Sequence, residues 1–152
     1  MAMEFALNCP VADDSYEIIV IGEKFMGNIV LIGIGGFAGA VARYWLAGRV
    51  QEISGSVGFP YGTMAVNILG CFILGVTYFL VDTRGLLGPE ARSLVMVGIL
   101  GAFTTFSAFS LETLNMIVDG QMLRALVNVA ASVSFGLIAV WAGRFLPLLV
   151  WR

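Results

Sequence analysis

Four apolar stretches, each long enough to cross a bilayer, constrain this chain more than any other feature. They run from about Met26 to Gly48, Tyr61 to Val81, Ala91 to Val118 and Leu123 to Leu149. At the rise of an α-helix, about 21 residues cover roughly 30 Å, the thickness of the hydrocarbon layer. The connections are a Gly/Ser/Pro loop (Val50–Pro60), a tight turn (Asp82–Glu90) and a shorter one around Asp119–Gln121. No soluble domain interrupts them, so one four-helix domain, residues 26–152, is expected in the lipid bilayer. The chain is 59% apolar and 12% charged, about half the charged share of soluble domains. An even number of spans puts both ends of this core on one side.

Residues 1–25 differ. They carry Glu4, Asp13, Asp14, Glu17 and Glu23 against the single base Lys24. A signal peptide opens on positive charge, which this segment lacks. It reads as an acidic N-terminal extension, either a short appendage or the product of a start called upstream of Met26. Net charge is −2 and there is no basic tract, so no nucleic-acid partner is expected. Cys9 and Cys71 form no Cys-x-x-Cys pair and the chain has no histidine. Neither a disulfide framework nor a transition-metal site is supported.

The third span holds the densest cluster of polar groups. Gly98 to Glu112 reads Gly-Ile-Leu-Gly-Ala-Phe-Thr-Thr-Phe-Ser-Ala-Phe-Ser-Leu-Glu. A lipid-facing helix has no use for so many hydroxyls, and irregular backbone at membrane depth persists only against protein or a watery cavity. The stretch predicts a helix broken near Gly101–Thr105, with the break serving an ion. Asn67 and Glu112 are further polar groups at membrane depth, where such side chains mark functional sites by default. By the alternation of the spans they lie at similar depth. Phe106 and Phe109 share a helix face with Glu112. Phe103 continues the row, so spacing does not say which rings matter; ordinary packing is the plain alternative for all three, as an interhelical hydrogen bond is for Asn67. The glycines of the first span (Gly33, Gly35, Gly36, Gly39) predict a face where another helix comes close.

Charge says little about orientation. Lys24, Arg84, Arg92, Arg144 and Arg152 fall on the side of the termini, and Arg43, Arg49 and Arg124 on the other. The positive-inside rule needs a clearer surplus. Near balance is compatible with insertion both ways and with an antiparallel pair of copies; a single topology with cytosolic termini is the plainer alternative.

Three segments carry a resemblance. Gly-Gly-Phe-Ala-Gly-Ala-Val-Ala-Arg-Tyr from Gly35 to Tyr44, Gly-Thr-Met-Ala-Val-Asn-Ile-Leu-Gly from Gly62 to Gly70, and the run from Gly101 to Glu112 resemble the CrcB/Fluc family of fluoride channels. The likeness extends from about Met26 to Arg152 and favours Met26 as the start. It implies an all-α membrane protein, not an enzyme, built as an antiparallel dual-topology homodimer in the cell (inner) membrane. It also implies two fluoride pores and a structural sodium ion (Na+) at the dimer centre. By resemblance the sodium is held by backbone carbonyls of Gly101 and Thr104. The pore rings are Phe106 and Phe109, and the pore amide is Asn67. A polar track would use Ser107, Ser110, Glu112 and Thr113, with Asn128 and Ser132 as weaker members. Arg43 matches the arginine ending the first helix. Ala102 stands where the family often has a second glycine.

Other classes fit less well. A small dual-topology proton-coupled multidrug exporter has the same size, but it needs a carboxylate within its first span, and Met26–Gly48 has none. No phosphate-cradling loop supports direct ATP-driven transport.

Overall fold

In the computed structural model the backbone is described for residues 14–82 and 85–150, and side chains for residues 25–81 and 85–149. Cys9, Arg84, Arg152 and the first 13 residues of the acidic extension lie outside the described residues. Every described element is helical: α1 (Asp14–Ser54), α2 (Tyr61–Asp82), α3 (Pro89–Arg92), a π-helical stretch (Ser93–Leu100), α4 (Gly101–Phe103), α5 (Phe106–Val118) and α6 (Met122–Val150). Four apolar helical spans result, Phe25–Ser54, Tyr61–Val81, Pro89–Val118 and Met122–Leu149, and the protein is a multi-pass membrane protein. The third is broken between Phe103 and Phe106, where the chain was expected to break.

The first span ends later than expected, at Ser54 rather than Gly48. Val50–Ser54 has no helix breaker, and Arg49 pairs with Glu52 one turn on, at 3.0 Å. The helix stops at Gly55, whose φ of +60° is a left-handed conformation that costs glycine little. Gly120, at φ +74°, ends α5 in the same way, and Gln121 N closes the turn on Met116 O at 2.8 Å. Gln51 then organises the loop to α2. Its Nε2 donates to the carbonyls of Ser56 and Phe59, and its Oε1 accepts from Gly62 N at 3.1 Å. That last bond satisfies one of the amides that a helix N-terminus leaves free.

Small residues set the helix spacing. α1 packs on the π-helical stretch and α4, whereas α2 packs on α6 and α5 leans on α6. A methyl group added to Gly39 would run into the carbonyl of Ile99, and one on Gly98 would lie 3.1 Å from the Gly35 Cα. Gly75 and Gly143 do the same for α2 and α6, each lying on the other helix's backbone. In lipid, where apolar contact alone gives helices little reason to associate, such close approach is what binds them. A methyl group added to Gly33 or Gly36, read together with Gly35 and Gly39 as one face, would meet nothing within 4 Å; only the i, i+4 pair Gly35 and Gly39 faces the neighbour.

A valine at Gly39 should therefore lower the thermal unfolding midpoint of the detergent-solubilised protein by several degrees, the result of overpacking by about 1–3 kcal/mol. Gly33→Ala, made into open space, should leave the midpoint nearly unchanged. Equal midpoints for the two variants would contradict this interface.

Candidate functional site at the broken third span

α4 ends at Thr104 (φ −81°, ψ 155°) and Thr105 is also extended (φ −148°, ψ 115°) before α5 begins at Phe106. Two extended residues interrupt the i to i+4 ladder, and in lipid each freed polar group needs a partner. Asn67 on α2 supplies two. Thr105 N donates to Asn67 Oδ1 at 2.8 Å, and Asn67 Nδ2 donates to Thr105 O at 3.1 Å. The side-chain amide thus pairs with the backbone much as a neighbouring strand would. Thr104 Oγ1 donates to Leu100 O at 3.0 Å, and Thr105 Oγ1 caps α5 by accepting from Ala108 N at 3.2 Å.

This bonding pattern leaves carbonyls at the end of α4 without their helical donors, those of Gly101 and Thr104 among them. In an unbroken helix Thr105 N would close on Gly101 O and Ala108 N on Thr104 O. Both donors are engaged elsewhere, by Asn67 and by the Thr105 hydroxyl. Gly101 and Thr104 also line a cavity of 330 Å³ with Asn67, Thr105, Phe106, Phe109 and Ser132. Carbonyl oxygens suit a hard cation, and among the described residues no group of three His, Cys, Asp or Glu side chains is clustered to hold a softer one.

The break also separates the three phenylalanines that spacing left equivalent. Phe103 precedes it and is buried, 7% exposed, against α2 at Gly70. Phe106, 79% exposed, follows it and meets Phe109 at a centroid distance of 5.7 Å with rings tilted by 41°. Two rings line the cavity and one belongs to the core.

The remaining candidates fall into three places. Ser107 and Ser110 are exposed on α5; Ser107 Oγ lies 3.4 Å from Thr105 Oγ1, and Ser110 Oγ donates to Phe106 O at 2.9 Å. Thr113 is buried in the seam between α5 and α6, where it donates to Phe109 O at 2.7 Å and accepts from Asn128 Nδ2 at 2.9 Å. Asn128 is 1% exposed, and Ser132 Oγ lies 3.5 Å from its Oδ1. Glu112 points to α2, where its Oε1 accepts from Thr63 Oγ1 at 2.6 Å. Its Oε2 is buried and has no hydrogen-bond partner among the described residues. Thr63 and Glu112 line a second cavity, of 540 Å³, with Gln51, Asn115, Asp119 and Gln121. Since Thr63 precedes Asn67 by one turn of α2, Glu112 lies about one turn nearer the membrane boundary than Asn67. Arg43 is half-buried on α1 and lines neither cavity.

Thr105 and Thr63 were not singled out from the sequence as site residues. Thr63 had a signal: it stands four before Asn67, on the same face of α2. Thr105 had only its membership of the Thr-Thr pair.

The family model described as CrcB-like protein, Camphor Resistance (CrcB), matches residues 30–144. The chain is 45% identical over 123 residues to the fluoride-specific ion channel FluC 1 of Methanosarcina acetivorans, covering 81% of this chain and 92% of that one. It is 44% identical to the fluoride-specific ion channel FluC of Methylocella silvestris, over 78% of this chain and 92% of the relative. With the protein of the same description from Magnetococcus marinus the identity is 48%, over 76% and 94%.

Removing the Asn67 amide should loosen the break before anything else. Asn67→Leu leaves the Thr105 N–H and C=O unpaired, at about 1–3 kcal/mol each. Amide hydrogen exchange at Thr105 should then accelerate by about ten-fold or more, with α6 amides unaffected. Unchanged exchange at Thr105 would show that the brace is dispensable.

Proposed function

We propose that this chain, which belongs to the CrcB-like protein family, is a fluoride-selective channel of the cell (inner) membrane through which cytosolic fluoride leaves passively. The observation that carries this reading is the braced break, which gathers Asn67, Phe106 and Phe109 around one cavity within a membrane-spanning helix. The names of the relatives supply the ion. Hydrogen fluoride crosses membranes as a neutral acid and ionises in a less acidic cytosol, so a conduit for the trapped anion lowers internal fluoride and its toxicity.

The residues present suit that task. Fluoride is small and strongly hydrated, and a pore has to replace most of its water shell. Asn67 has two N–H donors; one is held by Thr105 O, and the other remains for an anion in the cavity that it lines. Ring edges are electropositive, so Phe106 and Phe109 offer an anion their edges while narrowing the path against larger ions. Ser107 supplies a hydroxyl on the exposed side of α5, Ser110 joins it on turning its proton away from Phe106 O, and Thr63 with Glu112 continues the polar line one turn further along α2. In this reading Thr113 and Asn128 act from behind, fixing the height of Phe109 through its carbonyl. Arg43 would stand at the pore end.

The freed carbonyls of Gly101 and Thr104 fit a sodium ion. Two oxygens per chain fall short of the shell that a hard cation takes, and a second copy would double them. That count supports an antiparallel homodimer with the sodium between its two breaks, holding them together and not being transported.

Expression in a bacterium lacking its own fluoride exporter tests the assignment. Growth in fluoride-containing medium should be restored by the wild type and lost with Phe106→Ile and Phe109→Ile combined, at equal amounts of membrane-inserted protein. Membrane-inserted wild type that protects no better than an empty vector would overturn the assignment. Full protection by the isoleucine variant would overturn the role of the rings.

A further inference from the structure

A third cavity, of 430 Å³, opens between α2 and α6 away from the broken span. Its chemistry changes along its length. At one end are Arg124, the third residue of α6, and Tyr61, the first of α2, beside Phe59 of the preceding loop. Further in are Met64, Val127 and Ala131. Val127 and Ala131 lie about 4.5 and 10.5 Å deeper than Arg124 at the rise of an α-helix. The groove therefore runs from the membrane boundary into the hydrocarbon, polar and basic at its mouth and apolar within.

The mouth has the features of a headgroup site. The Phe59 and Tyr61 rings lie 4.7 Å apart at the boundary level, where aromatic side chains anchor proteins to the interface. The guanidinium of Arg124 lies over Gly58, whose missing side chain leaves it room. Its only hydrogen-bond partner among the described residues is the neutral Gln121 Oε1, at 2.8 Å. Arg49, by contrast, is neutralised by Glu52 at 3.0 Å. Basic pockets between spanning helices at this level recruit negatively charged lipids.

We infer that this groove binds an anionic phospholipid, with its phosphate on Arg124 and one acyl chain along Met64, Val127 and Ala131. The occupant is fixed by charge and depth together: a zwitterionic lipid offers Arg124 a phosphate already balanced by its own cationic headgroup, and a free phosphate would leave the apolar length of the groove empty. The site is independent of which ion the protein conducts. If the chain pairs with an inverted copy, each leaflet has one such site.

Native mass spectrometry of the purified full chain, titrated with phosphatidylglycerol or phosphatidylcholine, tests this without any transport assay. Arg124→Gln should weaken phosphatidylglycerol adducts by about five-fold, the factor that one basic residue contributes near an anionic headgroup. It should weaken phosphatidylcholine adducts less, so that the preference for phosphatidylglycerol falls, and Arg49→Gln should alter neither. Ala131→Trp, which fills the apolar length, should remove the preference for phosphatidylglycerol while keeping the arginine, and it carries the test if Arg124→Gln does not fold. Equal losses for the two arginine variants, or no preference for phosphatidylglycerol in the wild type, would overturn the site. So would an Ala131→Trp protein that changes oligomeric mass while keeping its lipid adducts, since a second copy would then be the occupant.

Discussion

A peptide group taken out of a helix inside a bilayer must find another partner, and this protein meets that requirement with one side chain. Asn67 both donates to and accepts from Thr105, standing in for the helical bonds that the extended backbone gives up. Without it the break would leave a buried donor and acceptor unpaired in lipid, at about 1–3 kcal/mol each. The Thr105 hydroxyl takes up one more freed group, the amide of Ala108, and the Thr104 hydroxyl bonds back to Leu100 O. Three consequences share that cause. Phe103 is buried in the core, α5 starts afresh with Phe106 at its first position, and carbonyls lose their helical donors at residues, Gly101 and Thr104, that line a cavity.

The brace works only if α2 stands where Asn67 can reach Thr105, and the glycine contacts set that position. Gly75 and Gly143 lock α2 to α6, while Gly35, Gly39 and Gly98 seat the first half of the third span on α1. The second half is tied separately, by Asn128 on α6 holding Thr113 and, through it, the carbonyl of Phe109. The two halves of the third span thus rest on different helices, and the break lies between the two supports. At the α2 start, Gln51 holds the loop that walls the cavity around Glu112.

Much of this was legible in the residues. Length and hydropathy gave four spans, because a bilayer imposes one thickness on all of them. Hydroxyls and glycines in the third span gave the break, because lipid tolerates them only where backbone or ion needs them. Other parts were hidden for physical reasons. The i, i+3 row of Phe103, Phe106 and Phe109 assumes a continuous helix, and the break itself invalidates it. Thr113 and Ser110 are the same kind of residue on one helix, yet one is buried in a seam and the other exposed; only the neighbouring helix decides. The polar residues Gln51 and Glu52 end the apolar run near Gly48 without ending the helix, which continues to Ser54 and stops at the left-handed Gly55. The roles of Gly101, Thr104 and Arg43 rest on resemblance, to which the geometry adds that the Gly101 and Thr104 carbonyls lose their helical donors.

Efflux from liposomes containing the purified wild-type protein is the sharpest test of the proposed fluoride path along the braced break. With a fluoride electrode and a chloride electrode in parallel, a selective path should give rapid fluoride release and no chloride release above that of empty liposomes. Comparable release of both ions, or of neither from a folded and reconstituted protein, would contradict it.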